Sequence, residues 1–481
     1  MAFTEHLQRP RRRGETPPGA LTGAAGGAAC GDLVRISLTL EGDRVAQAGF
    51  DAHGCGAAIA AGSAVVTLIE GRPLLHAALI GPRQIAAELG GLIPAKLHAA
   101  ELAADALHRA LGAAARAQAQ LPALHGRTLV AMSGGVDSAV AAVLCGSRAV
   151  AVTLELWSDP QNDGSLSCCS PQAVRSARAL AHDLGLPHLS LDLREEFRAG
   201  VVEPWLTEHA AGLTPNPCVR CNGAVRLDAM LELAERLGAD ALATGHYARI
   251  KDGVLRVAAD AGKDQSYMLA ALAPQSLARL RFPLGELHKP AVRELALRLG
   301  LPVAEKPDSQ DLCFLAGTDR AAFLQRHGAL GERDGDLLDA GGHRIGVHRG
   351  AHSYTVGQRR GIGIGGGTPL YVLETDADAN TVTVGPRQAL AMRTVELVSV
   401  VLHRPSFDRV RLRYRQRPLA CRATQTPTGL ALELAEAAYG VAPGQLACLM
   451  DGDLIVGHAT IAPRRSHRAG AAVERVALGA H

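Results

Sequence analysis

The sequence contains no uninterrupted apolar run of the ~18 residues that a membrane-spanning helix requires. This excludes an integral membrane protein, and because no apolar segment typical of a secretory signal follows the N-terminus, we expect a cytoplasmic location. Cysteine is sparse, with 10 residues in 481, which excludes a scaffold held by disulfides and favours catalytic or metal-binding roles for cysteines that cluster. The net charge is only +3, so any nucleic-acid binding depends on local basic patches.

The length of the chain indicates several domains, because 481 residues are more than a single ordinary hydrophobic core accommodates. Alternating stretches on both sides of Glu41-Gly42-Asp43 predict a β-hairpin, and residues 95–111 predict an amphipathic helix. Apolar strands then alternate with helical patterns, which indicates an α/β domain with a parallel sheet, before glycine turns and short alternating runs indicate β-rich domains. The predicted segments are a disordered tail (1–25), an α+β domain (26–113), a linker (114–125), the α/β domain (126–325), a small central β-rich domain (326–388), a C-terminal β-barrel (389–465) and a loose tail (466–481).

A glycine-containing loop after the first strand of the α/β domain carries the clearest chemical signal. Gly134 and Gly135 allow the backbone to approach an anion closely, and the helix that follows presents its N-terminus to phosphates. The Lys-[Ser/Thr] ending of a Walker loop is missing, which favours a site that cleaves ATP into AMP and pyrophosphate. Asp137 is a candidate ligand for Mg²⁺, which prefers oxygen. The predicted ATP-binding loop consists of Ala131, Met132, Ser133, Gly134, Gly135, Val136, Asp137 and Ser138.

Four further blocks follow this loop in a fixed order: residues 214–222 (Thr-Pro-Asn-Pro-Cys-Val-Arg-Cys-Asn), 243–249 (Ala-Thr-Gly-His-Tyr-Ala-Arg), 262–268 (Gly-Lys-Asp-Gln-Ser-Tyr-Met) and 308–314 (Asp-Ser-Gln-Asp-Leu-Cys-Phe). Together the five blocks resemble the tRNA-specific 2-thiouridylases over about residues 126–465. The resemblance implies an ATP pyrophosphatase domain of the PP-loop, adenine nucleotide alpha hydrolase-like type. It also implies a tRNA-uridine 2-sulfurtransferase acting on the wobble uridine (U34) of tRNAs for Lys, Glu and Gln.

The chemistry that the resemblance implies suits the residue types. Transfer of AMP to the C2 oxygen of uracil creates a good leaving group, which a strongly nucleophilic sulfur displaces. In the family, the residue matching Cys313 carries a persulfide supplied by a cysteine desulfurase or a sulfur-relay donor. The residue matching Cys221 is the nucleophile that releases the sulfur and leaves a Cys221–Cys313 disulfide. Taken alone, Cys313 beside Leu312 and Phe314 also fits a buried apolar cysteine.

The same resemblance assigns binding residues by matching position. Leu156 and Gly245 join the loop in binding ATP. The positions that match tRNA contacts are Asn216, Pro217, Cys218, His246, Lys263, Asp264, Gln265, Arg413, Tyr414 and Gln445. Taken alone, the charged run 409–415 also fits a solvated strand face.

One cysteine departs from the family pattern. Many members have an acidic residue where this chain has Cys218, which here forms a Cys-x-x-Cys pair with Cys221. An alternative to the persulfide route is therefore a [4Fe–4S] cluster held by Cys218, Cys221 and Cys313, with one open iron. The vicinal pair Cys168-Cys169 lies in a Ser/Gly-rich stretch and is interpreted as solvent-facing.

The N-terminal segment carries a second resemblance, to the iron–sulfur scaffold domains of the IscU/NifU type. It depends on Cys30-Gly-Asp32, Cys55 between two glycines and the run 94–102, but the family's third cysteine position holds Ala99. Cys30, Asp32, Cys55 and His98 remain a candidate set of zinc or cluster ligands. Three functions stay open: a tRNA sulfurtransferase fed by this domain, an iron–sulfur carrier that does not modify RNA, and another type of tRNA thiolase or ATP pyrophosphatase.

Overall fold

The computed structural model describes residues 2–26, 31–159, 170–308, 312–364 and 368–463. The chain divides into two compact units, Met1–Val201 with Arg220–Thr318, and Val202–Val219 with Asp319–His481. Among the described residues, none of the helices combines the length and the apolar character needed to cross a bilayer.

The first unit begins with an α+β domain in which helices pack on a three-stranded antiparallel sheet. Its elements are α1 (Ala2–Gln8), β1 (Leu21–Gly26), β2 (Leu33–Glu41), β3 (Arg44–His53), α2 (Gly56–Ile69), α3 (Leu74–Ala77), α4 (Pro82–Glu88) and α5 (Leu97–Gln118). The β2–β3 hairpin confirms the prediction from alternation around residues 41–43. The predicted helix is also present, and it continues as α5 into the stretch that we interpreted as a linker.

The N-terminal 25 residues differ from the prediction of a disordered tail, which was wrong for the part that the structure describes. Helix α1 packs on α2, where His6 Nδ1 lies 2.9 Å from Ser63 Oγ. Strand β1 pairs with β2 from Leu21↔Leu38 to Gly26↔Leu33. Composition misled the prediction because short elements gain most of their stability from tertiary packing.

A five-stranded parallel sheet in the order β10-β7-β4-β5-β6 forms the second part of the first unit. Its strands are β4 (Thr128–Ala131), β5 (Ala149–Glu155), β6 (His188–Asp192), β7 (Ala241–Ala243) and β10 (Leu280–Arg281). The antiparallel hairpin of β8 (Arg249–Lys251) and β9 (Val254–Arg256) is not part of this sheet. The helices are α6 (Val136–Cys145), α7 (Pro171–Asp183), α8 (Arg194–Phe197), α9 (Glu203–Ala210), α10 (Pro217–Cys221), α11 (Leu227–Arg236), α12 (Pro274–Ala278) and α13 (Lys289–Arg298). Of these, α9 and the beginning of α10 belong to the second unit.

The N-terminal domain covers strand β6, which lies at one end of this sheet. The His188 N–H donates to the Ala78 carbonyl at 2.9 Å, and the carbonyl of His188 accepts from His108 Nδ1 of α5 at 2.7 Å. A Cβ on Gly112 would lie only 1.9 Å from the carbonyl oxygen of Ser190, so helix and strand touch backbone to backbone. Both backbone polar groups of His188 therefore have partners in the N-terminal domain.

Charged pairs reinforce this junction. Arg109 of α5 donates to both carboxylate oxygens of Glu155, at 2.7 and 2.6 Å. Asp105, also on α5, accepts from Arg175 at 2.8 Å and from the buried Arg178 at 2.7 Å. Since buried charges are stable only when paired, these contacts fix the orientation of the two domains within the first unit.

The second unit contains two β structures that confirm the predicted change from α/β to β-rich architecture. The first is a four-stranded sheet, β12-β11-β14-β13, and the second is a six-stranded barrel in the order β15-β18-β17-β16-β19-β20, closed by pairing of β15 with β20. Leu432, Val410 and Leu449 are completely buried in the barrel core. The elements after α9 and α10 are α14 (Arg320–Gly328), β11 (Gly335–Leu338), β12 (Arg344–His348), β13 (Tyr371–Asp376), β14 (Thr381–Gly385), β15 (Ala391–Leu402), β16 (Arg409–Arg411), β17 (Leu419–Thr426), β18 (Gly429–Tyr439), β19 (Leu446–Asp451) and β20 (Leu454–Ile461).

Candidate active site

The predicted phosphate loop connects the carboxyl end of β4 to the N-terminus of α6, the position where open α/β sheets bind ligands. Gly134 has φ +71°, a left-handed conformation that favours glycine. Ser138 Oγ accepts from the Ser133 backbone N–H at 3.1 Å and donates to the Gly135 carbonyl at 3.0 Å. These bonds hold the loop open around the first turn of α6, whose free backbone N–H groups suit phosphate oxygens.

Gly245 lies against this loop, as the family resemblance implies for an ATP-binding position. A Cβ at Gly245 would lie 2.9 Å from the carbonyl carbon of Asp137 and from the nitrogen of Ser138. Only a glycine allows this approach without moving the loop. Leu156 follows the end of β5, next to the end of β4, and is almost completely buried.

Asp137 is the centre of a polar network that the sequence analysis did not predict. Lys289, the first residue of α13, donates through Nζ to both oxygens of Asp137, at 2.7 and 2.8 Å. The Tyr247 hydroxyl donates to Asp137 at 2.9 Å. Burial, together with the Asp137 carboxylate, raises the pKa of Tyr247, so its phenol remains a donor.

The network continues to Asp308, which begins the block that contains Cys313. Asp308 accepts from Lys263 at 2.6 Å, from Arg293 at 2.8 Å and from Lys289 at 2.9 Å. Burial acts to raise the pKa of Asp308, but hydrogen bonds and positive charge from Lys263 and Lys289 outweigh it and lower the pKa to about 2. Asp308 is therefore ionised at neutral pH. Lys306 Nζ also donates to the Gly134 carbonyl at 2.9 Å, so the chain two residues before this block contacts the phosphate loop.

The two predicted catalytic cysteines both belong to the first unit. Cys221 is buried at the end of α10, and Cys313 is half-buried at the start of a single turn, Cys313–Leu315. Cys218, which forms the Cys-x-x-Cys pair with Cys221, lies one turn before it on α10. Their roles and the proposed cluster of three cysteines stay predictions.

All four predicted tRNA-contacting residues between 246 and 265 are engaged within the protein, Lys263 through its ion pair with Asp308. His246 Nδ1 lies 2.8 Å from Thr244 Oγ1, and burial, with the positive charge of Arg226, lowers its pKa to about 3. The side chain of Asp264 accepts from the Ala258 N–H, and that of Gln265 accepts from the Tyr247 N–H. Their contacts in the structure shape the loop around Lys263, and their predicted role in tRNA binding stays untested.

The second unit brings together several predicted tRNA-contacting residues. Gln445 Nε2 donates to the Thr214 carbonyl at 2.6 Å, so it holds the chain directly before Asn216 and Pro217. Arg413 and Tyr414 lie in a turn after β16, whereas the sequence predicted that the strand would continue through them. The strand ends at Arg411, and the turn that follows contains Arg415 with φ +63°.

A cluster of metal-ligand type lies in the N-terminal domain. Ligand atoms of Asp32, Cys55 and His98 all lie within 4.8 Å of one another. The Cys55 thiol donates to Asp32 Oδ2 at 3.1 Å, and His98 Nε2 lies 3.1 Å from the same oxygen. Burial acts to raise the pKa of Asp32, but the hydrogen bonds from Cys55 and His98 lower it overall. Cys30, the fourth predicted ligand, lies outside the described residues, as does the pair Cys168-Cys169.

Family models match four successive parts of the chain. They are described as a NifU-like N terminal domain (residues 2–120), a tRNA methyl transferase HUP domain (126–317), a tRNA methyl transferase PRC-barrel domain (321–386) and an aminomethyltransferase beta-barrel domain (389–461). These matches agree with the observed succession of an α+β domain, a parallel sheet with a phosphate loop, a small β sheet and a closed barrel.

Curated proteins similar to this chain include a "Bifunctional protein NifU/MnmA" from Rubrobacter xylanophilus, which is 43% identical over 480 residues, 96% of this chain and 98% of that protein. A "tRNA-specific 2-thiouridylase MnmA" from Thermobifida fusca is 45% identical over 353 residues, 70% of this chain and 95% of that protein. Another from Cutibacterium acnes is 42% identical over 369 residues, 73% of this chain and all of that protein. The chain belongs to the tRNA-specific 2-thiouridylase family, in the form that carries a NifU-like domain at its N-terminus.

Proposed function

We propose that this protein transfers sulfur to C2 of the wobble uridine in tRNAs for lysine, glutamate and glutamine, with ATP as the activating substrate. The main support is the 43% identity to a NifU/MnmA protein over 96% of the chain, together with a phosphate loop in the position that ATP cleavage requires. A cysteine desulfurase or a sulfur-relay protein would supply the sulfur.

The phosphate loop accounts for the first step. Backbone N–H groups at the start of α6 and the hydroxyls of Ser133 and Ser138 bind the phosphates. The C2 oxygen of uracil attacks the α-phosphorus, pyrophosphate leaves, and the uridine carries AMP on that oxygen. The role of this chain is to align the two reactants and to stabilise charge on the leaving pyrophosphate.

Cys313 and Cys221 account for the second step. Cys313 carries the persulfide, and the Cys221 thiolate attacks the Sγ of Cys313 and expels hydrosulfide. The hydrosulfide adds to C2 and displaces AMP, which leaves the C=S bond on uridine and a Cys221–Cys313 disulfide. An external dithiol, or two thiols, then supplies the two electrons that reduce the disulfide for the next turnover and is itself oxidised to a disulfide.

Mg²⁺ would be expected to accompany ATP, and Asp137 is its candidate protein ligand. Both carboxylate oxygens of Asp137 accept hydrogen bonds from Lys289. The metal would therefore bind at this carboxylate only if Lys289 moved away from it. When bound with ATP, Mg²⁺ supplies positive charge to the phosphates.

Formation of 2-thiouridine by the purified protein tests this function. The assay contains tRNA, ATP and a cysteine desulfurase with cysteine, and the product is detected by mass spectrometry of digested tRNA. We expect Cys221→Ser and Cys313→Ser each to abolish the product.

Cys145→Ser is the matched control, because burial raises the pKa of Cys145 to about 11 and keeps it an unreactive thiol. Cys169→Ser is also expected to remain active. Retained product in Cys313→Ser would refute the persulfide role.

The same preparation distinguishes the cluster mechanism. Anaerobic purification with iron and acid-labile sulfide analysis shows whether activity follows iron content. Activity without iron supports the persulfide route. Activity that tracks iron and is lost in Cys218→Ala would instead assign Cys218, Cys221 and Cys313 to a [4Fe–4S] cluster.

A second function is favoured by the N-terminal cluster, which fits a metal ion. The Ala95 carbonyl lies 3.0 Å from His98 Nδ1, so the ring is oriented with Nε2 toward Asp32. A cation bound here would replace the protons that Cys55 and His98 direct at the Asp32 carboxylate. Asp32, Cys55 and His98 would hold zinc or an iron–sulfur unit, which would fix the domain's ligand loops in place.

Metal analysis of the purified protein checks this second function. We expect about one zinc or an iron–sulfur unit per chain, lost in His98→Ala and in Cys55→Ala. His53→Ala is the matched control, because His53 is an exposed histidine of the same domain. Equal metal content in all of these variants would rule the cluster out as the binding site.

A further inference from the structure

Lys289 reaches the phosphate loop from a part of the chain 152 residues away from Asp137. Only 7% of Lys289 is exposed, and its own N–H donates to Asp260 at 2.9 Å, which fixes the start of α13. Its Nζ lies between two carboxylates, Asp137 of the loop and Asp308. A buried ammonium held in this way has a defined position beside the N-terminus of α6.

The loop itself contains no cationic side chain. A Walker loop carries a lysine that reaches the terminal phosphates of the nucleotide, and in this chain no lysine or arginine stands between Ala131 and Ser138. Asp137 adds negative charge at the point where a polyphosphate would bind, and the carboxylate would repel it if left unpaired. The site therefore needs a cation from elsewhere in the chain, and Lys289 is the one whose ammonium touches Asp137 among the described residues.

We propose that Lys289 is a catalytic residue that binds the β- and γ-phosphates of ATP and stabilises the departing pyrophosphate, with Asp308 positioning its ammonium group. This inference rests on the proposed function for the identity of the reaction. Without nucleotide, Lys289 is paired with Asp137. When ATP binds, Nζ turns toward the phosphates and keeps its contact with Asp308, which Lys263 and Arg293 hold in place.

The charge movement explains why a lysine is required. When the C2 oxygen attacks the α-phosphorus, the bond from that phosphorus to the oxygen bridging the β-phosphorus breaks. Its electron pair remains on the pyrophosphate, whose negative charge rises. A fixed ammonium beside that oxygen stabilises the charge as it develops, and no proton has to move.

Binding of pyrophosphate and of α,β-methylene-ATP, measured by calorimetry in the presence of Mg²⁺, tests the proposal without depending on turnover. We expect Lys289→Gln to weaken pyrophosphate binding more than about tenfold and to slow thiolation of tRNA at saturating substrate about 100-fold. Lys289→Arg keeps the charge and should retain pyrophosphate binding within about fivefold. Arg298→Gln is the matched control, because Arg298 is an exposed arginine in the last turn of the same helix, and it should change binding less than about threefold.

The outcomes separate this inference from the proposed function. If Lys289→Gln binds pyrophosphate as tightly as the unmodified protein, or if Arg298→Gln weakens it equally, the assignment of Lys289 is overturned. If the unmodified protein forms no 2-thiouridine but the binding results are as expected, the proposed function fails and the phosphate role of Lys289 stands. Should Lys289→Gln not fold, Lys289→Met combined with Asp308→Asn decides, because it removes the ammonium together with one of its two carboxylates. Unchanged pyrophosphate affinity in that double variant would overturn the assignment.

Discussion

Replacement of Arg109 by methionine tests whether buried charge holds the N-terminal domain to the parallel-sheet domain. The side chain of Arg109 is 19% exposed and that of Glu155 is 6% exposed, and two parallel hydrogen bonds connect them. Removing one partner of a buried pair costs ~3–5 kcal/mol, because the remaining charge stays buried. The partial exposure of Arg109 places the expected loss at about 3 kcal/mol. For a folded unit of this size, that loss lowers Tm by roughly 6 °C.

Calorimetric unfolding of three variants measures this loss. Arg109→Met should show the full decrease in Tm, whereas Arg109→Met combined with Glu155→Leu should recover most of it, since an apolar pair replaces a buried ion pair with little net change. Arg83→Met is the matched control: its pair with Asp183 joins the same two domains, but the side chains are 87% and 51% exposed. If Arg109→Met lowers Tm no more than Arg83→Met, the buried pair does not stabilise the junction and this reasoning is wrong.

Two further predictions concern the phosphate loop and the domain junction. Gly245→Ala should weaken binding of α,β-methylene-ATP more than about tenfold, because its Cβ would displace the loop at Asp137, whereas Gly346→Ala, with its nearest neighbour at 3.6 Å, should bind normally. Burial, with the nearby positive charges, holds the pKa of His188 well below its usual value, so it is neutral when folded. Stability should therefore be complete above about pH 6.5 and decrease as the pH falls below it, and less so in His188→Asn, as thermal unfolding between pH 8 and 5 would show.

The fold was predictable from sequence wherever local pattern and tertiary packing agree. Strand β5 is a continuous apolar run that is buried along its whole length, so its pattern predicts its position. Strand β17, by contrast, reads Leu-Ala-Cys-Arg-Ala-Thr-Gln-Thr and is mostly exposed, and it was not predicted because barrel closure, rather than an apolar pattern, holds it in place. The N-terminal helix was missed for a similar reason, since its stability comes from packing on α2.

The candidate site likewise contains residues that the local sequence predicts and residues whose role depends on tertiary contacts. The phosphate loop and Gly245 were predictable because strand, glycines and helix start stand in consecutive positions or in recognisable blocks. Lys289 was not, because a lysine at the start of a helix is common and nothing local indicates that its ammonium reaches a carboxylate 152 positions earlier. The proximity of Asp32, Cys55 and His98 likewise depends on tertiary structure, although the residue types alone were sufficient to propose them as ligands.

Because the N-terminal domain covers β6, removing that domain would expose an edge of the parallel sheet. A strand at the end of a sheet, with unpaired N–H and C=O groups, is a template on which strands from other molecules add. Here Ala78 and His108 occupy those groups on His188, and Gly112 closes the approach to Ser190. A shortened protein beginning after residue 125 would expose this edge and the apolar surface beside it. We therefore expect a protein shortened in this way to self-associate more readily than the full chain.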